Sequence, residues 1–192
     1  MAIVVHTAPT EEPITLAEAK LHCRVDTTDD DELLVMLISA VRQQAETNLQ
    51  RHIITQTLDA YFDEFGEEIL LPPMQSVTAI TYVDLAGATH TLAADQYIVD
   101  AVSKPSRITP AYAVTWPATR NQVNAVKVRF VAGYGLPVAV PQCIKNWMLI
   151  RIATLYANRG QIVISDGRVQ MIEMPESFID SLLDSERVYG RI

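Results

Sequence analysis

The stretch Val126-Lys127-Val128-Arg129-Phe130-Val131-Ala132-Gly133-Tyr134-Gly135 decides how the chain is read. Val126, Val128 and Phe130 alternate with Lys127 and Arg129. A period of two puts the apolar side chains on one face of a strand and the cations on the other, as in a sheet half buried against a core. Gly133 and Gly135 then break the run. Pro141 opens a different pattern, because a proline's missing N–H costs nothing at the start of a helix. Ile144, Trp147, Met148, Arg151, Ile152, Leu155 and Tyr156 follow at helical spacing as far as Asn158, and Gly160 ends the run.

Backwards from Val126, strand signals continue to about Ile54. Leu58, Ala60 and Phe62 alternate with Asp59, Tyr61 and Asp63, and Ile69 to Leu71 is a short run stopped by Pro72-Pro73. Val77 to Val83 is strand-like, and Asp84-Leu85-Ala86-Gly87 reads as a hairpin loop into Thr89–Leu92. Tyr97–Val99 and Arg107–Thr109 are shorter candidates. Pro105, Pro110 and Pro117 enforce irregular connections.

Before this block, from Pro13 to His52, the pattern is helical. Thr15 followed by Glu18 is a capping box opening a helix to Arg24. Thr28 with Asp31 is expected to cap a second helix, with Asp29 to Glu32 complementing its positive N-terminal dipole. Leu34, Leu37, Ile38, Val41, Ala45 and Leu49 form one apolar stripe along it. Leu33, Met36 and Ala40 form a second, flanking stripe, so the helix either sits deep in a bundle or touches a second partner. Cys23 and Cys143 lie in apolar helical patterns and are expected as buried thiols, although one bridge between them stays open.

At the other end, Gln161 to Met174 is either a hairpin around Asp166-Gly167 or a loop. Pro175 begins an amphipathic helix carrying Phe178, Ile179, Leu182 and Leu183, with Arg187, Tyr189 and Arg191 as a polar rim. This unit is either a docking arm or part of its own bundle. Read as an arm, Pro175–Ile192 could be deleted and leave a folded chain.

The fold class is therefore α+β: a small helical bundle of N-terminal and C-terminal helices with an inserted antiparallel β-rich subdomain. The expected blocks are 13–53 (N-terminal helices), 54–135 (β insertion), 140–160 (bundle helix), 161–174 (loop or hairpin) and 175–192 (last helix and tail).

Composition narrows the function. Across 192 residues, 15 Lys and Arg oppose 23 Asp and Glu, a net charge of −8 with no basic run. Tight binding of duplex DNA is disfavoured, because it needs cations on phosphates. DNA sliding past such a surface remains compatible, because salt screens the repulsion. No apolar run approaches the roughly 18 residues of a membrane span, and Met1 to His6 lacks a charged leader and cleavage site, so a soluble chain made in the cytoplasm is expected.

His6, His22, His52 and His90 lie in different segments, and His22-Cys23 point about 100° apart on a helix, so no metal site is expected. Asp29-Asp30-Asp31-Glu32 fits no calcium loop. Gly133-Tyr134-Gly135 lacks the remaining glycine and the Lys-Ser/Thr of phosphate loops. Neither an enzyme nor a cofactor is expected. Trp116, beside Pro117 and near Arg120, is either an interface anchor or a loop tryptophan folded onto its own sheet. Trp147, on an apolar helix face, reads as core.

Pro13-Ile14-Thr15-Leu16-Ala17-Glu18-Ala19-Lys20 is followed in order by Ile54-Thr55-Gln56-Thr57, Leu71-Pro72-Pro73 with Ser76-Val77, and Tyr82-Val83-Asp84. Trp116-Pro117-Ala118-Thr119-Arg120, Asn124-Ala125-Val126, Phe130 to Gly135, Pro141 and Tyr156-Ala157-Asn158-Arg159 continue the series. Together and in order, these pieces give the chain a resemblance to a family of phage head–tail connector (adaptor) proteins, with Pro13–Lys20 similar to the family's opening. It implies a structural virion protein in the neck, forming a homo-oligomeric ring, typically of twelve, below the portal protein. Such a ring extends the DNA channel and offers a platform to a head-closure (stopper) or tail protein, and double-stranded DNA passes without specific binding. No membrane is involved. The source could be a phage, a defective prophage or a gene transfer agent. A head-closure or tail-completion protein of the same neck is the alternative. Portal docking would fall to Phe178, Ile179, Leu182, Leu183, Arg187, Tyr189 and Arg191. Subunit contacts would fall to Leu33, Met36, Ala40, Trp116 and Arg120.

Overall fold

A computed structural model describes residues 1–158 and 179–188. The chain divides into a β unit (Met1–Thr10, Arg51–Gly135 and the chain end from Val188) and a helical unit (Glu11–Gln50 and Leu136–Arg187). Helices and antiparallel sheets are segregated, so the class is α+β, as the alternating and helical periods imply.

Among the described residues the β unit has eight strands: β1 (Ala2–Thr7), β2 (Gln56–Phe62), β3 (Ile69–Leu71), β4 (Met74–Val83), β5 (Thr89–Leu92), β6 (Tyr97–Asp100), β7 (Ser106–Pro110) and β8 (Val126–Ala132). One sheet runs β1-β2-β8-β4-β5 and the other β3-β7-β6, with every pairing antiparallel. The strand whose alternation opens the reading is the middle of the larger sheet. Val126, Val128, Phe130 and Ala132 are all wholly buried. Phe130 faces Leu58 on β2 and Val77 on β4, while Val128 faces Ala60 and Ile80. Ile69 and Leu71 of β3 and Ile108 of β7 close the same cluster from the second sheet. Truncating Phe130 to alanine would cost about 3–5 kcal/mol.

Two register shifts, at Met74/Ser76 and Val77/Ala79, interrupt β4. An extra residue on one strand bends it and increases its twist. The β4–β5 turn is held by Asp84, whose carboxylate accepts from the Ala88 N–H at 2.9 Å. Gly133 ends β8 at φ +113°, where a Cβ would lie 2.4 Å from the Ile54 carbonyl oxygen, so only glycine fits.

The strand at the start of the chain has no counterpart in the sequence reading, which places no element before Pro13. β1 pairs with β2 in the register Val4↔Asp59. Only Ile3 is even half-buried, so β1 carries no burial alternation. Backbone pairing at a sheet edge holds it, and side-chain patterning does not record that.

The helical unit contains α1 (Leu16–Cys23), α2 (Asp31–Leu49) and α3 (Gln142–Ala157), with a short 3-10 turn at Ser181–Leu183. The capping box forms as read: the Glu18 N–H donates to Thr15 Oγ1 at 3.2 Å and the Thr15 N–H donates to Glu18 Oε2 at 2.7 Å. Those bonds to Thr15, the backbone one foremost, hold the Glu18 carboxyl below its ordinary pKa. The start of α2 differs from expectation. Asp30, not Thr28, is the N-cap, and its side chain makes no cap bond. It accepts instead from the Tyr156 hydroxyl at 2.6 Å, tying α2 to α3.

Leu34, Ile38, Val41, Ala45 and Leu49 of α2 pack in the core with Ile144, Trp147, Met148 and Ile152 of α3. Arg42 is almost buried and lies between Glu12 at 2.7 Å and Glu46 at 3.2 Å. A buried cation requires such partners. Cys23 and Cys143 are free thiols, half-buried rather than buried, because each lies near a helix end where the packing thins.

Candidate functional site

The chemistry of catalysis needs converging polar groups in a cleft; a structural component needs surfaces. Two of the acidic residues at the start of α2 make structural bonds. Asp31 pairs with Lys20 at 2.6 Å, and Asp30 holds Tyr156. Among the described residues, no cluster of three or more His, Cys, Asp or Glu side chains is placed to hold a metal, and no helix is long and apolar enough to cross a membrane.

Three surfaces stand out. The first lies along α2. While one stripe is buried, Met36 is 63% exposed, Ala40 is exposed and Leu33 is half-buried. Val35, which the stripe pattern omits, is also half out in solvent. It lines a groove of about 320 Å³ with Ile14, Leu16, Ile38 and Pro137, and exposed Glu11 is among the lining residues. Leu136 and Val138 flank Pro137 in sequence and are strongly exposed. Sequence periodicity could not find this groove, because it joins the segment before α1, one flank of α2 and a turn near residue 137.

The second surface is the aromatic corner of the β unit. Trp116 is half-buried against the β core and stacks on Phe65, ring centroids 4.7 Å apart and planes 7° off parallel. Phe65 meets Tyr82 edge-on at 5.9 Å. Trp116 is thus folded onto its own sheet, with its Nε1 buried and unpartnered. Arg120 remains exposed; its backbone N–H donates to the Val83 carbonyl at 3.0 Å, and its guanidinium lies over Gly87.

The third is the C-terminal segment. Phe178, Tyr189 and Arg191 lie outside the described residues, as does the expected hairpin or loop at 161–174. Ile179 and Leu182 are half-buried. Leu183 is wholly buried, so its side chain is occupied within the helical unit. The Trp147 Nε1–H donates to Asp180 at 3.0 Å, and Arg187 Nε donates to the Asn48 carbonyl at 3.1 Å. Residues 179–187 are built into the helical unit, which corrects the expectation that Pro175–Ile192 can be removed without loss of core.

The groove residues of α1 and α2, together with β2, β3 and β4, fall in one stretch of chain. Residues 13–83 match the phage gp6-like head-tail connector protein family. That is the resemblance read from the opening helices and the first strands. Similarity of fold extends through the whole chain. A chain in the neck of an empty GTA particle computed with C6 symmetry superposes with a TM-score of 0.78 at 22% identity, covering 100% of this chain and 98% of the other. A chain from the virion of a native gene transfer agent (GTA) particle gives 0.77 at 19%, with the same coverage. One from the neck of a native GTA particle computed with C12 symmetry gives 0.76 at 21%, again covering 100% and 98%. No curated protein sequence matches the chain.

Proposed function

We propose that this chain is a structural virion protein of the neck, a head–tail connector (adaptor) subunit that joins a DNA-filled head to its tail. The observation that carries the reading is the family match over residues 13–83, supported by an architecture shared along the full length with chains of GTA particles. The chemistry agrees with a scaffold role. The side-chain hydrogen bonds named above serve caps, turns and ion pairs, while apolar groups remain exposed along α2 and beside Pro137. A surface of net charge −8 gives passing DNA nothing to grip.

The finer reading is a homo-oligomeric ring, as in the C12-symmetric neck to which the fold is similar. A closed ring needs two different faces on each subunit, because head-to-tail contacts close the circle. The exposed flank of α2, with Met36 and Ala40, supplies one such face. The portal is contacted by Phe178, Ile179, Leu182, Arg187, Tyr189 and Arg191 around the C-terminal segment, and a stopper or tail protein follows on the opposite side.

Deleting the gene and imaging the particles tests this. Packaged heads without tails, rescued by the supplied chain, are expected. Normal tailed particles, or density for the chain only in the shell or the tail tip, would refute the reading. Attachment only after another adaptor is present would instead mark a head-closure protein.

A further inference from the structure

We infer that the Val102–Lys104 turn of one copy seats in the α2 groove of the next copy. The inference deepens the connector reading and rests on it. Two features of the chain carry it: an apolar knob held out in water and an apolar groove left open.

The knob is the turn joining β6 to β7. Val102 is 92% exposed, yet the turn that presents it is braced. Asp100 accepts from the Val102 N–H at 3.1 Å, the Ser103 N–H at 3.0 Å, the Ser103 hydroxyl at 2.7 Å and Arg107 Nε at 2.9 Å. These bonds order the turn before it meets anything, so docking sacrifices little conformational freedom. The hole is the groove of about 320 Å³ whose apolar walls include Val35, Ile38 and Pro137.

Charge complementarity joins this knob to the groove. Lys104, in the same turn as Val102, and Glu11, in the groove, are both exposed and have no ion-pair partner among the described residues. Glu12, by contrast, is engaged by Arg42. An apolar knob and an apolar pocket at different places on one chain make a head-to-tail contact, the kind that rings require. Complementary charges beside it fix the register.

The test uses assembled particles carrying variant chains. With Cys23→Ala and Cys143→Ala as background, because both native thiols are free, Val35→Cys with Val102→Cys, treated with a short bis-maleimide, should give a ladder of covalent multimers that neither single variant gives. Lys104→Glu or Glu11→Lys alone should cut incorporation roughly tenfold, and the two together should restore it. Val102→Asp, at a site exposed enough to leave folding intact, should behave like the single charge reversals. No ladder in particles whose neck holds the chain, with Val102→Asp incorporated normally, would overturn the contact and leave the connector reading standing. A ladder in concentrated purified chain that is absent from the neck would uphold the contact and sink that reading.

Discussion

Arg129 on β8 and Asp59 on β2 are register partners and share two hydrogen bonds, 2.7 Å from Nε and 2.8 Å from Nη2. Asp59 is nearly buried although it belongs to the polar half of the β2 alternation. The paired guanidinium is what permits a carboxylate there, and the bonds from Arg129 hold its carboxyl below the ordinary range.

Asp59→Asn should therefore lower stability by about 1.5–3 kcal/mol, the usual worth of a hydrogen bond to a charged group. The sign of the pH dependence follows from the depressed pKa. The contribution is complete above the ordinary Asp value and is lost as pH falls through the lowered one. Thermal melts from neutral to acid pH should show a shallower acid loss in the variant than in the parent.

At the start of α1 the Thr15 N–H and hydroxyl bonds lower the Glu18 pKa, so this carboxylate also stabilises the fold above its ordinary range and ceases to do so as acid protonates it. Thr15→Ala should cost about 0.5–2 kcal/mol and keep a residual acid slope, because the backbone bond survives. Glu18→Gln should remove the slope due to this residue. Urea midpoints at several pH values would separate the two.

Gly133→Ala should be among the most damaging small substitutions, at about 2 kcal/mol or more. The new methyl would meet the Ile54 carbonyl at 2.4 Å in a backbone region with φ of +113°. A melt matching the parent would contradict the close approach.

Trp147→Phe keeps most of the buried ring and deletes the donor to Asp180. A loss of about 1–3 kcal/mol is expected, with faster amide exchange confined first to residues 180–183. Unchanged exchange there would mean that the bond does not hold the returning segment.

Met36→Asp changes a residue 63% exposed on α2. Stability should move by no more than about 0.5 kcal/mol, while incorporation into the neck should fall. Normal incorporation would remove this face from the assembly surface.

What could be read in advance depended on whether the physics was local. The alternation of Val126, Val128 and Phe130, the Thr15–Glu18 box and the Leu34–Leu49 stripe are local patterns, and each forms as read. β1 was illegible because it is held by an edge ladder to β2 and leaves its side chains in solvent. The Asp30–Tyr156 bond spans 126 positions, so nothing near Thr28 could reveal which residue would cap α2. Trp116 carried two readings until Phe65 proved to be stacked on it. The groove was out of reach because its walls come from separate segments, and the Asp100-braced turn was hidden among short strand candidates. The match over residues 13–83 lies within the stretch whose resemblance was legible.

The interleaving of the two units sets the order in which the chain can mature during synthesis. The eight described strands have left the ribosome once Ala132 emerges, whereas α2 must wait for α3 before its apolar side is covered. Nascent chains stalled just as Gly135 clears the exit tunnel should carry a finished sheet and a naked α2, a stage at which a chaperone would find its grip.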